Sequence, residues 1–149
     1  MSKIVRTAAN LLFPFILIFG FYVIIHGHLT PGGGFQGGAV MATGLAMIIV
    51  AHAFERVQNA FKKDLLKVVE ACGLTLFLAT AISGFVVGKP FFYNWIAQAG
   101  SLLGGTPTTA GNLNTGGIIP LLNVFVGLEV LGALTIIILY MLAGAKENS

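Results

Sequence analysis

The chain has 149 residues, of which 56% are hydrophobic and only 9% charged, with a formal net charge of +3. Soluble domains carry about 25% charged residues, so this balance excludes an ordinary soluble globular protein. The single cysteine, Cys72, excludes a disulfide framework within the chain, and its place in an apolar run predicts a small buried hydrophobe.

Residues 8–25 form an apolar run of 18 residues behind a polar start that carries Lys3 and Arg6. That run makes about 27 Å of helix, enough to cross a bilayer core. A basic start and an apolar core also suit a secretory signal. No small-residue cleavage pattern follows, however, and three more apolar runs do, so the segment reads as a retained span. Pro14 is expected to kink it, because residue 14 cannot donate to the carbonyl of Asn10. The second span is predicted at residues 37–54. Its Gly38, Ala42 and Ala46, four residues apart, make a narrow face that lets helices approach closely in lipid.

Residues 55–67 collect Glu55, Arg56, Lys62, Lys63, Asp64 and Lys67 and read as a solvated connection, with a short amphipathic turn at 57–61. The third span is predicted at 65–87, with a second small-residue stripe at Thr80, Gly84 and Gly88. Residues 88–117 are too many for an ordinary helix connection. Their Phe91-Phe92-Tyr93-Asn94-Trp95 suits an interfacial anchor, 96–103 a short surface helix, and the uncharged remainder a cap or packing loop. The fourth span is predicted at 118–142, with Pro120 in its first turn, where the missing N–H costs nothing. The expectation is one all-α integral membrane domain over residues 1–149, a bundle of four transmembrane helices. Seven of the eight Lys and Arg side chains fall on one side of this layout, with Lys89 alone on the other. Basic residues stay in the cytoplasm, so both termini are expected there.

The stretch joining the first two spans is the most distinctive. His26-Gly27-His28-Leu29-Thr30-Pro31-Gly32-Gly33-Gly34-Phe35-Gln36-Gly37-Gly38 carries two of the three histidines and six of the twenty glycines. Pro31 fixes φ and the glycines allow φ > 0, so the segment reads as a tight, shaped reversal that feeds a helix N-terminus. The pattern of Gly27, His28, Pro31, Gly32, Gly33, Gly34, Phe35, Gly37 and Gly38 closely resembles the first signature of the MnhB/MrpB family. That family supplies the B-type component of Mrp-type multisubunit Na+/H+ antiporters, with related copies in archaeal membrane-bound hydrogenase and sulfur-reductase complexes. Thr115-Gly-Gly-Ile-Ile-Pro-Leu-Leu-Asn123 and the Val126-Gly127-Leu128-x-Val130 that follows also resemble its second block. The resemblance implies a non-catalytic subunit of a sodium- or proton-translocating complex in the cytoplasmic membrane. It also implies partners: other Mrp-type membrane subunits, an antiporter-like subunit, and a hydrogenase or sulfur-reductase arm. The residues themselves leave two other readings open, an autonomous homo-oligomeric channel or transporter and, more weakly, a membrane enzyme.

Four side chains are candidates for an ion or proton pathway. Glu129 falls near the middle of its span, where a carboxylate costs about 2.5–3.5 kcal/mol on insertion scales and must stay protonated or find a partner. Glu70 lies about one turn inside the third span, with Lys67 at i−3 as an expected partner. His52 is expected to pair with Glu55, and His28, whose type changes charge near neutral pH, to be a hydrogen-bonded loop residue that fixes the turn. His26 and His28 have no third ligand nearby, and no zinc, P-loop or nucleophile-elbow spacing is present, so no metal, cofactor or nucleic acid is expected.

Overall fold

A computed structural model of the chain describes residues 2–52, 63–98, 112–113 and 115–147. Among the described residues four helices are long and apolar enough to cross a membrane, in the all-α arrangement the apolar runs predict. We label them α1 (Lys3–His26), α2 (Gly34–His52), α3 (Lys63–Val86) and α4 (Ile119–Glu147). The charged residues 55–62, with the turn expected at 57–61, lie outside the described residues, as does most of the long third connection.

Local chemistry sets the helix ends. Ser2 caps α1, its hydroxyl oxygen accepting from the amide of Val5 at 3.4 Å, and the helix runs on through Pro14. At its far end the amides of Leu29 and Thr30 both donate to the carbonyl of His26, at 2.9 and 3.1 Å. The chain then reverses at Gly32, whose φ of +115° is closed to most L side chains. Gln36 Oε1 accepts from the amide of Gly33 at 2.8 Å, one half of a capping box. That bond starts α2 at Gly34, so part of the glycine run expected as loop is the first turn of a helix.

After α3 the chain doubles back: Phe92 donates its amide to the carbonyl of Ala81 at 3.0 Å, and Trp95 Nε1 donates to Ser83 Oγ at 3.0 Å. Phe91, Phe92 and Trp95 are exposed around this turn. The surface helix expected at 96–103 is described only as a short 3-10 turn, Ile96–Gln98.

α1 packs along α2 and touches α4, while α4 lies between α2 and α3. A core of Ile49, Leu66, Ile136 and Leu139 joins α2, α3 and α4 at the end that holds Lys63 and Tyr140. We call this the basic end, and the opposite one, with the 27–34 reversal and the start of α4, the loop end. α3 is exposed along most of its length, through Leu65, Val68, Leu74, Leu78, Ile82 and Phe85.

Three expectations change. Cys72 is exposed on α3, because that helix packs mainly on α4 among the described residues and much of the rest of its surface points outward. Among the described residues, Gly84 and Gly88 of the stripe at Thr80, Gly84 and Gly88 meet no other helix. A Cβ on Gly84 would meet the 90–93 turn that follows its own helix, and one on Gly88 would meet nothing within 4 Å. In the first stripe Gly38 and Ala42 are buried, whereas Ala46 lines an apolar groove of about 490 Å³ between α1 and α2 with Ala8, Leu12 and Val50.

Candidate functional site

Two junctions hold the candidate residues. The first is the loop end, where the glycine-rich reversal is set into the start of α4. A Cβ on Gly34 would run into the backbone of Asn123, and one on Gly38 would fall 2.6 Å from the carbonyl oxygen of Gly127. These glycines are therefore required for close backbone approach, the way helices pack in lipid. His28 lies on the other side of the same corner, against Gly116: a Cβ there would fall 3.4 Å from the imidazole Cδ2 and 3.5 Å from Pro120 Cδ. Both ring nitrogens of His28 are buried, and neither has a hydrogen-bond partner among the described residues. The hydrogen bond expected of His28 is thus not found among the described residues, where the ring is held through packing. Asn123 Nδ2 is likewise buried and without a partner there.

Asn94 completes this end. Its Nδ2 donates to the carbonyl of Gly116, and its Oδ1 accepts from the amide of Ile118, both at 2.9 Å. One side chain thereby fixes the entrance to α4, whose first amides have no partner inside the helix. Sequence reasoning treated Asn94 only as part of an aromatic run.

The second junction is the seam between α3 and α4, which brings Glu70 and Glu129 together. A Cβ on Gly132 of α4 would fall 3.0 Å from the Cβ of Glu70, and one on Gly73 of α3 would fall 2.7 Å from the amide nitrogen of Glu129. Each glutamate thus stands over the other helix's glycine. The signal was present in the sequence as two Glu-x-x-Gly units, Glu70-Ala-Cys-Gly73 and Glu129-Val-Leu-Gly132. Residues three apart share a helix face, so two such units on antiparallel helices fit each other reciprocally. Both glutamates are half-buried, and no hydrogen bond or ion pair engages either carboxylate among the described residues. The Lys67–Glu70 pair expected from i,i−3 spacing is accordingly absent among those residues.

His52 lies apart from both junctions, at the basic end. Its Nε2 donates to Asn10 Oδ1 at 2.7 Å, tying α2 to α1. Its expected partner Glu55 lies outside the described residues. Among the described residues no group of three or more His, Cys, Asp or Glu side chains is placed to hold a metal ion.

Four apolar helices, packed through glycines and carrying carboxylates in an interhelical seam, define a multi-span membrane protein. Residues 4–136 match the family described as a domain related to the MnhB subunit of Na+/H+ antiporter, and the chain belongs to that family. It is 35% identical over 88 residues to the B-type Na(+)/H(+) antiporter subunit of Bacillus subtilis, covering 59% of this chain and 61% of that one. It is 34% identical over 116 residues to an uncharacterized protein of Methanocaldococcus jannaschii, covering 78% of this chain and 43% of that one. Among solved structures it is similar to a chain of the membrane-bound sulfane sulfur reductase, an archaeal respiratory membrane complex. There the TM-score is 0.76 at 34% identity, over 95% of this chain and 58% of the other. The chain thus spans about half the length of these relatives.

Proposed function

We propose that this chain is a non-catalytic membrane subunit of a multisubunit complex that translocates sodium ions or protons. The observation that carries the reading is the likeness over 95% of the chain to part of a respiratory membrane complex, at 34% identity. Membership of the antiporter-subunit family supports it from the sequence side. Packing is in keeping with such a role, since among the described residues α3 packs mainly on α4 and leaves much of its surface for lipid or neighbouring subunits. The partners are other small membrane subunits and an antiporter-like subunit, and the parent complex is either an antiporter or a redox-driven pump of the sulfur-reductase or hydrogenase kind.

Within that role the reciprocal Glu70–Glu129 seam is the place for proton or cation passage, and His28 and His52 stand at the two ends of the bundle. The basic end faces the cytoplasm, both termini included, because seven of the eight Lys and Arg residues fall on that side of the four-span sequence layout, and the membrane is the cytoplasmic membrane. Purification of the tagged chain in mild detergent, with mass spectrometry of its companions, tests the assembly. Co-purifying membrane subunits are expected, and recovery of a stable particle made of this chain alone would replace the reading with an autonomous homo-oligomer. Orientation is tested by single cysteines at Ser2 and Thr30, both exposed and at opposite ends, in a Cys72→Ala background. An impermeant reagent applied outside intact cells should label Thr30→Cys and spare Ser2→Cys.

A further inference from the structure

The two glutamates of the α3–α4 seam stand on one flank of it. Each precedes its glycine by three residues, which turns it about 60° around the helix from that glycine, in the same sense on both helices. On antiparallel helices laid face to face, the same sense puts both side chains on the same side. A separate contact marks that side. Lys63, seven residues before Glu70, and Tyr140, eleven after Glu129, each stand close to a whole number of turns away, and the Lys63 ammonium lies 4.9 Å from the centre of the Tyr140 ring. The opposite flank is taken: Leu139, two turns beyond Gly132, joins the core with Ile49 of α2, and both it and Thr135 are at most 1% exposed. On the glutamate flank Ile137 and Tyr140 are 52% and 50% exposed, and Leu74 of α3 is 45% exposed.

Depth makes this flank unusual. Glu129 stands level with Gly73, the eleventh residue of α3, about 15 Å along that helix and so half-way through a core about 30 Å thick. A carboxylate there is costly against acyl chains, and such groups pair with other polar or charged side chains. The chain itself carries no Lys or Arg at that level: all eight fall within the outermost five residues of a helix or in a connection. A second copy of the chain would therefore bring two more carboxylates and no cation to the middle of the membrane. Resting on the reading of this chain as a complex subunit, we propose that the glutamate flank of the α3–α4 seam is the docking face for a transmembrane helix of a different subunit, one that carries a Lys or Arg side chain near the middle of its span. That side chain is the charge complement of Glu70 and Glu129, and the apolar border of Leu74, Ile137 and Tyr140 packs on the rest of the helix. The face also sets the register of docking, since a helix slid by one turn moves its cation about 5 Å from the carboxylates.

The test uses membranes that hold the whole complex, with photoreactive benzoylphenylalanine placed at Leu74 or at Ile137 and mass spectrometry of the cross-linked peptides. Both positions are exposed, and using two guards against one of them disturbing the fold. The expected product joins this chain to a membrane span of another subunit, within about one turn of a Lys or Arg on that span. Glu70→Gln combined with Glu129→Gln keeps the shape of the face and removes both negative charges. It should lower the cross-link yield about three- to tenfold, the range of single polar contacts between membrane helices. Changing the partner's basic residue to Gln should do the same in the parent chain and add nothing in the doubly substituted one. With companion subunits present, cross-links only to lipid or to a second copy of this chain would overturn the docking face and leave the subunit reading intact. A cross-linked span without Lys or Arg, or a yield unmoved by the glutamine variants, would overturn it as well. A chain that purifies without companions would remove the subunit reading, and the face with it.

Discussion

The Cβ of Glu70 stands 3.0 Å from the point where a Cβ on Gly132 would sit, and Gly73 meets the backbone of Glu129 in the same way one turn along the seam. The two contacts are a single packing device used twice, once from each helix. They allow α3 and α4 to approach at the level of two carboxylates, so the positions of those carboxylates depend on residues with no side chain of their own.

Gly73→Ala should therefore separate the helices, because its new methyl would fall 2.7 Å from both the Glu129 amide nitrogen and the Phe125 carbonyl oxygen, and backbone cannot step aside as a side-chain tip can. The expected loss is about 1–3 kcal/mol of stability, as for overpacked cores, read as a lower thermal midpoint of the chain in detergent. Gly144→Ala lies on the same helix as Gly132 with nothing within 4 Å of the new methyl. It should be neutral or stabilise by up to about 1 kcal/mol through helix propensity. Equal effects from the two variants would mean that the seam is not tightly packed.

At the loop end the glycines differ in kind, and their alanine variants should rank accordingly. Gly34 faces the main chain of Asn123, whereas a Cβ on Gly33 would meet the tip of the Asn123 side chain at 2.9 Å. Neither requires positive φ, which among the glycines of this reversal is found at Gly32. Gly34→Ala should cost about 1–3 kcal/mol by overpacking. Gly33→Ala should cost less and recover when combined with Asn123→Ala, whose shorter side chain removes the clash. A Gly33→Ala defect untouched by Asn123→Ala would place its cause in the backbone instead.

Much of this was legible in the sequence and some was not, for physical reasons. The four helices follow from apolar runs, since length and hydropathy alone decide whether a segment can span. The shaped reversal follows from Pro31 and the glycines around it. Partner choice was illegible, because the sequence does not say which helix a small residue faces. Gly84 reads like Gly38, yet one receives its own chain's turn and the other a neighbouring helix. The same gap separated Glu70 from Glu129. Each reads as a lone carboxylate until α3 is laid against α4, although the shared Glu-x-x-Gly spacing was in view. His28 was expected to find a hydrogen bond on the general rule for buried polar groups, and among the described residues it has none.

Asn94 offers a separate prediction, because it serves the entrance to α4 as donor and acceptor at once. Asn94→Ala removes both bonds and should cost about 1–2 kcal/mol, in the range of lost helix caps. Asn94→Asp keeps an acceptor for the Ile118 amide but loses the donor to the Gly116 carbonyl, and should fall between parent and alanine. The checks are thermal midpoints and hydrogen exchange of residues 115–122. Parent-like protection in Asn94→Ala would show that the start of α4 is held by its packing against His28 and the glycine-rich reversal.

Glu129 carries the last prediction, and the packing at Gly73 makes it sharper. Its backbone is fixed against α3, its carboxylate lies half-buried, and no hydrogen bond or ion pair holds that group among the described residues. A carboxylate kept at such depth without a fixed partner is a functional candidate by default. Glu129→Gln preserves size and most hydrogen-bonding capacity but takes up and releases no proton. If the group exchanges protons during turnover, the variant should assemble normally while ion movement falls by about a hundredfold, as for loss of a positioned proton-transfer group. Glu129→Asp shortens the reach by one methylene and should be intermediate. Glu70→Gln should impair flux as well if the two carboxylates act in sequence, and the double variant should then be no worse than the more severe single one. The measurement is sodium and proton flux in vesicles holding the assembled complex, normalised to the amount of complex. Parent-level flux in Glu129→Gln, with loosened packing only in Glu129→Leu, would remove the carboxylate from the pathway and leave the seam as a structural joint.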